Sequence, residues 1–360
     1  MSQSTNTKHN GYTFTADYGT RIGNYHRKGL SNNMDAVYLH KGSQVVVGGV
    51  ADGCGGTGEH SEVSALLFIP WLVDRMHSLL ESPTGLTGKS ISEASKQLWY
   101  EYIPKLQSIL DFRYSGMEKP DLITQREYLD QIMLHTVVLY VVIFNQENDY
   151  WDCYFVYRGD GYIVIDDQMV NLESLEETKH NGVLYPALAL SAYQQWLKTT
   201  TPTTAELATR SFDIVHIGNS RKNWHRIAVS SDGLRFLHNG QLDRYVFPEF
   251  KPLDPNPAPG VKQVTSITEA INWGVKDVDI SPDDDMGIVN FKTFPPPSAP
   301  EPVVISERVT SEPVPTVEEM AGEDSLEPVD VPTSNELSLN ETEIQEKRGI
   351  DDSDKGVFYL

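Results

Sequence analysis

Four short acidic segments occur in the first 290 residues, and each lies at an end of an apolar, strand-like run. They cover residues 33–36, 51–53, 230–234 and 283–286. Carboxylates at the ends of rigid strands are the oxygen ligands that hard divalent cations prefer. A single Asp-Gly is usually a turn, because Asp caps the backbone locally and Gly takes a positive φ. Several such segments, each beside a strand, instead predict one metal centre assembled from distant parts of the chain.

The sequence between these segments predicts two groups of strands separated by a helical block. Alternating or continuous apolar runs indicate strands, and apolar residues three and four apart indicate helices. The predicted strands cover residues 36–39, 44–50, 134–144, 151–157, 161–166, 169–171, 212–217, 226–230 and 286–291. The predicted helices cover residues 61–80, 91–112, 121–133, 234–237 and 266–273, and residues 178–210 are predicted to be a connecting loop or a variable flap. Because many strands follow one another without a helix between them, a doubly wound parallel sheet is disfavoured. We predict an α+β fold in which two antiparallel β-sheets form a sandwich flanked by helices.

Composition divides the chain into three parts. Residues 1–11 are predicted to be a flexible N-terminus, and residues 12–293 to form the folded domain. After Phe294 the chain is rich in Pro, Glu, Ser and Thr and has few aromatic residues. Such a segment cannot bury enough apolar area to offset the loss of chain entropy. We therefore predict an acidic, disordered tail over residues 294–360.

Charge and cysteine content restrict the partners and the compartment. The formal net charge is -22 at pH 7, and an acidic chain lacks the basic face that nucleic-acid binding requires. Two cysteines are too few for a disulfide framework, and the polar first residues contain no apolar signal segment, which predicts a cytoplasmic protein. The longest apolar runs, 65–73 and 134–144, are too short to span a bilayer. We predict a soluble monomer with neither a nucleic-acid nor a membrane partner.

The order of the motifs resembles that of the metal-dependent protein phosphatases of the 2C type, the PPM family. The matching segments are NNMDA at 32–36, GVADGCGG at 49–56, SEVSA at 61–65, RGDG at 158–161, SDGL at 231–234 and the pair of aspartates at 284–285. Each motif is weak alone, but six in the right order across residues 12–293 are specific. The segment GNYHRKG at 23–29, with a His ahead of the acidic signature, is similar to a bacterial branch of the family.

This resemblance implies a fold, an activity and a cofactor. The fold is the αββα arrangement, in which two antiparallel sheets lie between helices and the metal site occupies the cleft at one end. The activity is that of a serine/threonine protein phosphatase, which dephosphorylates phosphoserine or phosphothreonine in a protein substrate during signalling. The reaction uses a water activated by two Mn²⁺ or Mg²⁺ ions. A cognate kinase is a further implied partner.

The resemblance also assigns the metal ligands, motif by motif. Asp52 would bridge both metals, and the carbonyl of Gly53 would bind the second. Asp232 and Asp284 would complete the first metal. Asp35 would bind the second metal or orient its waters.

Three further residues are assigned to the edge of the site. Asp160 matches the aspartate of the family's Gly-Asp turn, which either supports the ligands from behind or binds a third, weaker metal. His26 or Arg27 would contact the phosphoryl group, and His26 could instead protonate the leaving serine oxygen. Cys54, two positions after the metal aspartate, is predicted to pack rather than to react.

Met34 is the clearest departure from the family pattern, because the family has Glu or Gln beside the aspartate at this place. A thioether is a poor ligand for Mg²⁺ or Mn²⁺, so the second metal site would be weak unless Met34 packs in the core instead. The three main metal aspartates are retained, which favours a working enzyme. A catalytically weak or inactive domain that binds phosphoproteins or acts as a regulatory module is the alternative.

Overall fold

Two six-stranded antiparallel sheets form the framework of the protein. The computed structural model describes residues 7–9, 12–24, 33–53, 62–118, 120–175, 183–248, 266–276, 280, 282–294 and 306–309, all within the unit Met1–Val314. Its strands are β1 Thr7–His9, β2 Tyr12–Arg21, β3 Asp35–Lys41, β4 Val45–Gly53, β5 Glu81–Ser82, β6 Gly85–Leu86, β7 His135–Asn145, β8 Tyr150–Arg158, β9 Tyr162–Ile165, β10 Gln168–Asn171, β11 Asp213–Asn219, β12 Arg226–Ser230, β13 Met286–Phe294 and β14 Ser306–Val309. One sheet has the order β1-β2-β13-β12-β9-β10 and the other β14-β11-β8-β7-β4-β3, while β5 and β6 form a separate small hairpin.

Helices cover the outer faces of both sheets. They are α1 Glu62–Leu80, α2 Ile91–Arg113, α3 Leu122–Ile132, α4 Ser191–Thr200, α5 Pro202–Ala208, α6 Leu242–Tyr245 and α7 Ile267–Lys276. Short 3₁₀ helices cover Leu172–Leu175, Pro186–Ala189, Asp232–Phe236 and Asn239–Gln241. The start of α2 is fixed by a capping box, in which Ser90 and Glu93 each bind the other's backbone N–H. Asp121 caps α3 with a single hydrogen bond, which its side chain accepts from the N–H of Thr124.

Three apolar clusters separate the layers. One lies between the sheet that contains β7 and the helices α1 to α5, one between the two sheets, and one between the sheet that contains β12 and the helices α6 and α7. The layers are therefore helix, sheet, sheet and helix, which confirms the predicted αββα sandwich.

The central strand β7 shows how the sequence specifies these layers. Its residues His135–Asn145 are apolar almost throughout, as expected for a strand that is covered on both faces. Leu139 and Val141 pack against the helices, whereas Tyr140 and Val142 pack between the sheets. The alternation of a strand thus places neighbouring residues in two different cores.

Helix α1 is a core helix of this domain. By length and composition alone it could cross a membrane, since an 18-residue window within Glu62–Leu80 has a mean hydropathy of 1.3. Half of that window is buried, and the helix packs against β3 and β4. Pro70 lies inside the helix without ending it.

The structure differs from the sequence-based predictions at several elements. Strand β1, Thr7–His9, lies within residues 1–11, which were predicted to be flexible, yet it pairs with β2. Residues 191–208, which were predicted to belong to a connecting loop or flap, form α4 and α5. The long strand β2 was not predicted. Strand β14, Ser306–Val309, lies within the predicted disordered tail, yet it pairs with β11 at the edge of a sheet, with Ile214 opposite Val309. The prediction of disorder from residue 294 onward is therefore wrong for this segment, because an unpaired edge strand offers backbone partners even to a chain of low hydropathy.

Candidate metal centre

The predicted ligands in the sheet that contains β7 lie at the same edge because of strand direction. Asp35 is the first residue of β3, and Asp52 is next to last in β4. These strands form an antiparallel pair in which Asp35 stands directly opposite Asp52. Thr136, near the start of β7, pairs with Asp52 on its other side. The edge is thus defined by one strand that begins there and one that ends there.

The sheet that contains β12 brings its acidic residues to the same end of the sandwich. Asp232 follows the end of β12, and Asp284 precedes β13, its antiparallel partner. Asp160 lies in the turn between β8 and β9, and Tyr162 of β9 pairs with Ser230 of β12. Gly159 and Gly161 flank Asp160 with φ values of 103° and 128°, a region that glycine adopts without strain.

Hydrogen bonds join the acidic residues of the two sheets directly. The backbone N–H of Asp232 donates to Oδ2 of Asp52 at 3.4 Å. The hydroxyl of Ser231 donates to Oδ2 of Asp35 at 2.5 Å. Ser231 in turn accepts a bond from the backbone N–H of Gly287 at 2.9 Å. Asp35, Asp52 and Asp232 therefore form one connected group.

Asp285 anchors the segments around this group. Its side chain is 2 % exposed, and its two carboxylate oxygens accept bonds from the backbone N–H of Gly23 at 2.7 Å and of Met34 at 2.6 Å. A Cβ on Gly233 would lie 1.8 Å from the carbonyl oxygen of Asp285, so this position in the Ser-Asp-Gly-Leu motif admits only glycine. Asp285 thus holds the residue before Asp35 in place, and its neighbour Asp284 remains at the surface of the edge.

Burial, and then neighbouring charge, raises the pKa values of four aspartates at this edge. Burial, and then the neighbouring charges of Asp35 and Asp232, hold the pKa of Asp52 well above its usual range. Burial also raises the pKa of Asp35, against the hydrogen bond from Ser231, which lowers it. The pKa of Asp160 is raised to about 7 by burial and by the charge of Asp232. The pKa of Asp232 is raised by burial and by the charge of Asp284, while Arg235 opposes the shift. Negative charge is therefore crowded at this edge, which is the electrostatic condition for binding a cation.

A guanidinium group lies among these carboxylates. Nη1 of Arg235 is 2.7 Å from Oδ2 of Asp232, and Nη2 is 3.1 Å from Oδ2 of Asp284. As placed, no three acidic, His or Cys side chains of the described residues are close enough together to hold a metal ion between them. The predicted ligands are thus gathered at one edge without closing around a common point.

The donor set nevertheless fits a hard divalent cation. All the side chains concerned offer carboxylate oxygens, the ligands of Mg²⁺ and Mn²⁺. Oδ1 of Asp35 is buried and accepts no hydrogen bond from the described residues. A buried carboxylate oxygen without a donor is costly, and a bound cation would supply its missing partner.

The predicted site residues divide into those placed at the edge and those that the structure does not describe. Asp35, Asp52, Asp160, Asp232 and Asp284 lie at the edge. Gly53 ends β4 beside them, and its N–H donates to the carbonyl oxygen of Met34 at 3.2 Å. The side chain of Met34 is only 5 % exposed, which favours packing over a place beside the second metal. The predicted roles of His26, Arg27 and Cys54 fall outside the described residues.

Sequence reasoning missed three residues that shape this edge: Ser231, Arg235 and Asp285. Ser231 and Arg235 flank the aspartate of the Ser-Asp-Gly-Leu motif, but their partners lie elsewhere in the chain. Asp285 belongs to the predicted pair of aspartates at 284–285, of which only Asp284 was given a role. In each case only the adjacency to a predicted ligand could have drawn attention to the residue.

Solved structures of bacterial serine/threonine phosphatases are similar to this chain. The catalytic domain of the phosphatase PstP in complex with two manganese ions has 15% identity and a TM-score of 0.39, over 78% of this chain and 99% of that one. The phosphatase Stp1 from Staphylococcus aureus has 11% identity and a TM-score of 0.37, over 81% and 97%. A serine/threonine phosphatase from S. agalactiae has 14% identity and a TM-score of 0.44, over 78% and 99%. No protein-family model and no curated protein matches the chain.

The names of these proteins give the serine/threonine phosphatase activity that the order of the motifs implies. At such identities and TM-scores the likeness is loose. What this chain binds and catalyses must therefore be inferred from its own side chains.

Proposed function

We propose that the protein is a metal-dependent phosphatase that hydrolyses phosphoserine or phosphothreonine in a protein substrate. The observation that supports this most directly is the connected group of Asp35, Asp52 and Asp232, contributed by strand ends of both sheets. Such a group has little use in stabilising the fold, because burial and the charges of Asp35 and Asp232 raise the pKa of Asp52. A divalent cation would turn this repulsion into attraction.

The residues of the chain have separate tasks in this proposal. Asp52, Asp232 and Asp284 would hold one divalent cation. Asp52, the Gly53 carbonyl and Asp35 would hold a second, or Asp35 would orient its waters. Cations held there would supply a lowered pKa for a nearby water and positive charge beside the phosphoryl oxygens.

Ser231 keeps Asp35 in one orientation, and Asp285 keeps the backbone before it fixed. This rigidity matters because ligands that must reorganise on binding lose affinity. Asp160 lies at the rim as a support or as a ligand of a third ion. We further propose a cytoplasmic monomer that acts on phosphoproteins, including the substrates of a cognate kinase.

The proposal is tested by phosphate release from a phosphoserine peptide with millimolar Mn²⁺ or Mg²⁺, with and without EDTA. Asp52→Asn should reduce the rate about a hundredfold or more, comparable to the loss of one electrostatic stabiliser of a transition state. Asp160→Asn should reduce it less, since this residue lies at the rim. Asp111→Asn, on the exposed face of α2, is the matched control and should leave the rate unchanged. Turnover that persists in EDTA, or equal small losses for Asp52 and Asp160, would contradict the proposal.

A second candidate function is a phosphoprotein-binding module without turnover. It is favoured by Met34, which is buried where the family has an acid or amide, and by the ion pairs that Arg235 makes with two predicted ligands. The same peptide distinguishes the two functions. Binding of the phosphoserine peptide without release of phosphate, at any Mn²⁺ or Mg²⁺ concentration, would support the binding module.

A further inference from the structure

Arg235 occupies an unusual place at the acidic edge. It belongs to the 3₁₀ helix Asp232–Phe236, and its two terminal nitrogens reach carboxylates from different parts of the chain. Nη1 pairs with Asp232 at 2.7 Å, within the helix, and Nη2 pairs with Asp284 at 3.1 Å, across the edge. A planar guanidinium can bridge two carboxylates in this way, whereas a lysine ammonium is a single point of charge.

Both partners of Arg235 are residues assigned to the first metal. The bridge therefore uses oxygens that a divalent cation would also need, and it brings a positive charge next to the place that the cation would take. Two like charges cannot share these oxygens without repulsion. Binding of a cation by Asp232 and Asp284 thus requires the guanidinium to leave them.

The surroundings of Arg235 allow it to leave. Its side chain is 48% exposed, and those of Asp232 and Asp284 are 25% and 37% exposed. Ion pairs of this exposure are weak and are screened by salt. The guanidinium carbon lies 5.0 Å from the ring centre of Phe236, so the side chain has an aromatic surface beside it.

We propose that Arg235 is a resident cation that competes with the divalent cation for Asp232 and Asp284, and so weakens metal binding by this chain. The inference rests on the proposed metal centre and adds a residue that sets its affinity. While the metal is absent, Arg235 offsets part of the negative charge at the edge. Once the metal is bound, its guanidinium is released at the mouth of the site.

The test is direct titration of the purified full chain with Mn²⁺ by isothermal calorimetry, without substrate, at about pH 8, well above the ordinary pKa of aspartate. Arg235→Gln should bind Mn²⁺ about tenfold more tightly than the wild type, which corresponds to about 1.4 kcal/mol. Arg235→Lys keeps the charge but not the bridge, and its affinity should lie between the two.

Arg221→Gln is the matched control. Arg221 is 51% exposed and pairs with Asp149, so this substitution removes the same charge from an equally exposed ion pair of the same domain. Its Mn²⁺ affinity should equal that of the wild type. A thermal melt of each variant in EDTA verifies that all are folded.

The outcomes separate the inference from the proposed function. The proposed competition between Arg235 and the metal is overturned if Arg235→Gln binds Mn²⁺ no more tightly than the wild type. It is also overturned if Arg221→Gln gains the same Mn²⁺ affinity. If neither the wild type nor any variant binds Mn²⁺ or Mg²⁺, the proposed metal centre itself is overturned.

Discussion

The hydroxyl of Ser231 donates a 2.5 Å hydrogen bond to Oδ2 of Asp35, and this bond ties the end of β12 in one sheet to the start of β3 in the other. Ser231 is 1% exposed and Asp35 is 3% exposed, so the bond lies out of reach of bulk water. Hydrogen bonds to a charged group in such surroundings are strong. Asp35 is therefore oriented by a partner that is itself held by Gly287.

Replacement of Ser231 should destabilise the protein measurably. Ser231→Ala removes the hydrogen-bond partner of two buried groups, Oδ2 of Asp35 and the N–H of Gly287. Each buried group that is left unpaired costs about 1–3 kcal/mol. We expect a lower free energy of unfolding in urea and weaker binding of Mn²⁺. Ser108→Ala is the control, since that hydroxyl is exposed and bonds only to the carbonyl of Lys105. Equal stabilities of the two variants would contradict the structural role of Ser231.

Asp160 should make stability depend on pH in a defined direction. Its pKa in the folded protein is about 7, above its ordinary value of 3.8. A carboxyl whose pKa is raised by folding favours the folded state while it is protonated, and it destabilises that state as the pH rises through the folded pKa. In EDTA, Asp160→Asn should therefore gain stability relative to the wild type between about pH 4 and pH 7.

Urea unfolding of both proteins at several pH values in EDTA measures this difference. Asp111→Asn, on the exposed face of α2, serves as the control for the loss of one carboxylate away from the acidic edge. The free energy of unfolding of Asp160→Asn relative to the wild type should rise with pH over this interval. If it stays constant or decreases, Asp160 is not buried among other acids.

The elements with strong periodicity were predictable from the sequence. The helix predicted at residues 91–112 is Ile91–Arg113, and the strand predicted at 134–144 is His135–Asn145. In contrast, α4 begins at Ser191, the preceding Leu190 provides no side-chain cap, and the helix sequence is largely polar. Tyr193 and Leu197 are buried against neighbouring helices, so tertiary packing rather than local pattern makes this segment helical. Strand β2 carried a signal that was overlooked, because Phe14, Ala16 and Tyr18 alternate toward the core between the sheets.

The acidic residues of the site could be located by motif, but not the residues that hold them. Ser231 and Asp35 are separated by 196 positions, and Asp285 and Met34 by 251. Nothing local in the sequence encodes such pairs, since they arise only when two sheets stack. The same is true of the bridge from Arg235 to Asp284, which joins a 3₁₀ helix to the turn before β13.

Strand β14 should contribute to stability although its sequence was predicted to be disordered. It pairs with β11, and its removal would leave the N–H and C=O groups of that edge to water. A chain that ends at residue 314 should melt like the full chain, whereas one that ends at residue 294 should melt a few degrees lower, as expected for the loss of about 1 kcal/mol. Differential scanning calorimetry compares the two. Identical melting temperatures would show that β14 adds nothing to the sheet.

Met34→Glu should weaken the fold without improving metal binding. The backbone of Met34 is fixed on both sides, since its N–H donates to Asp285 at 2.6 Å and its carbonyl oxygen accepts from Gly53 at 3.2 Å. Its side chain is 5 % exposed. A glutamate there would be buried next to Asp35, whose pKa is already raised, so burial of a second carboxyl should cost about 2 kcal/mol or more.

Urea unfolding and a calorimetric Mn²⁺ titration of the same samples measure both effects. Met34→Leu conserves the volume and should cost less than about 1.5 kcal/mol. Loss of stability in Met34→Glu alone, with unchanged Mn²⁺ affinity, is the expected result for a core position. Wild-type stability together with tighter Mn²⁺ binding would instead place this side chain among the metal ligands and would contradict its burial.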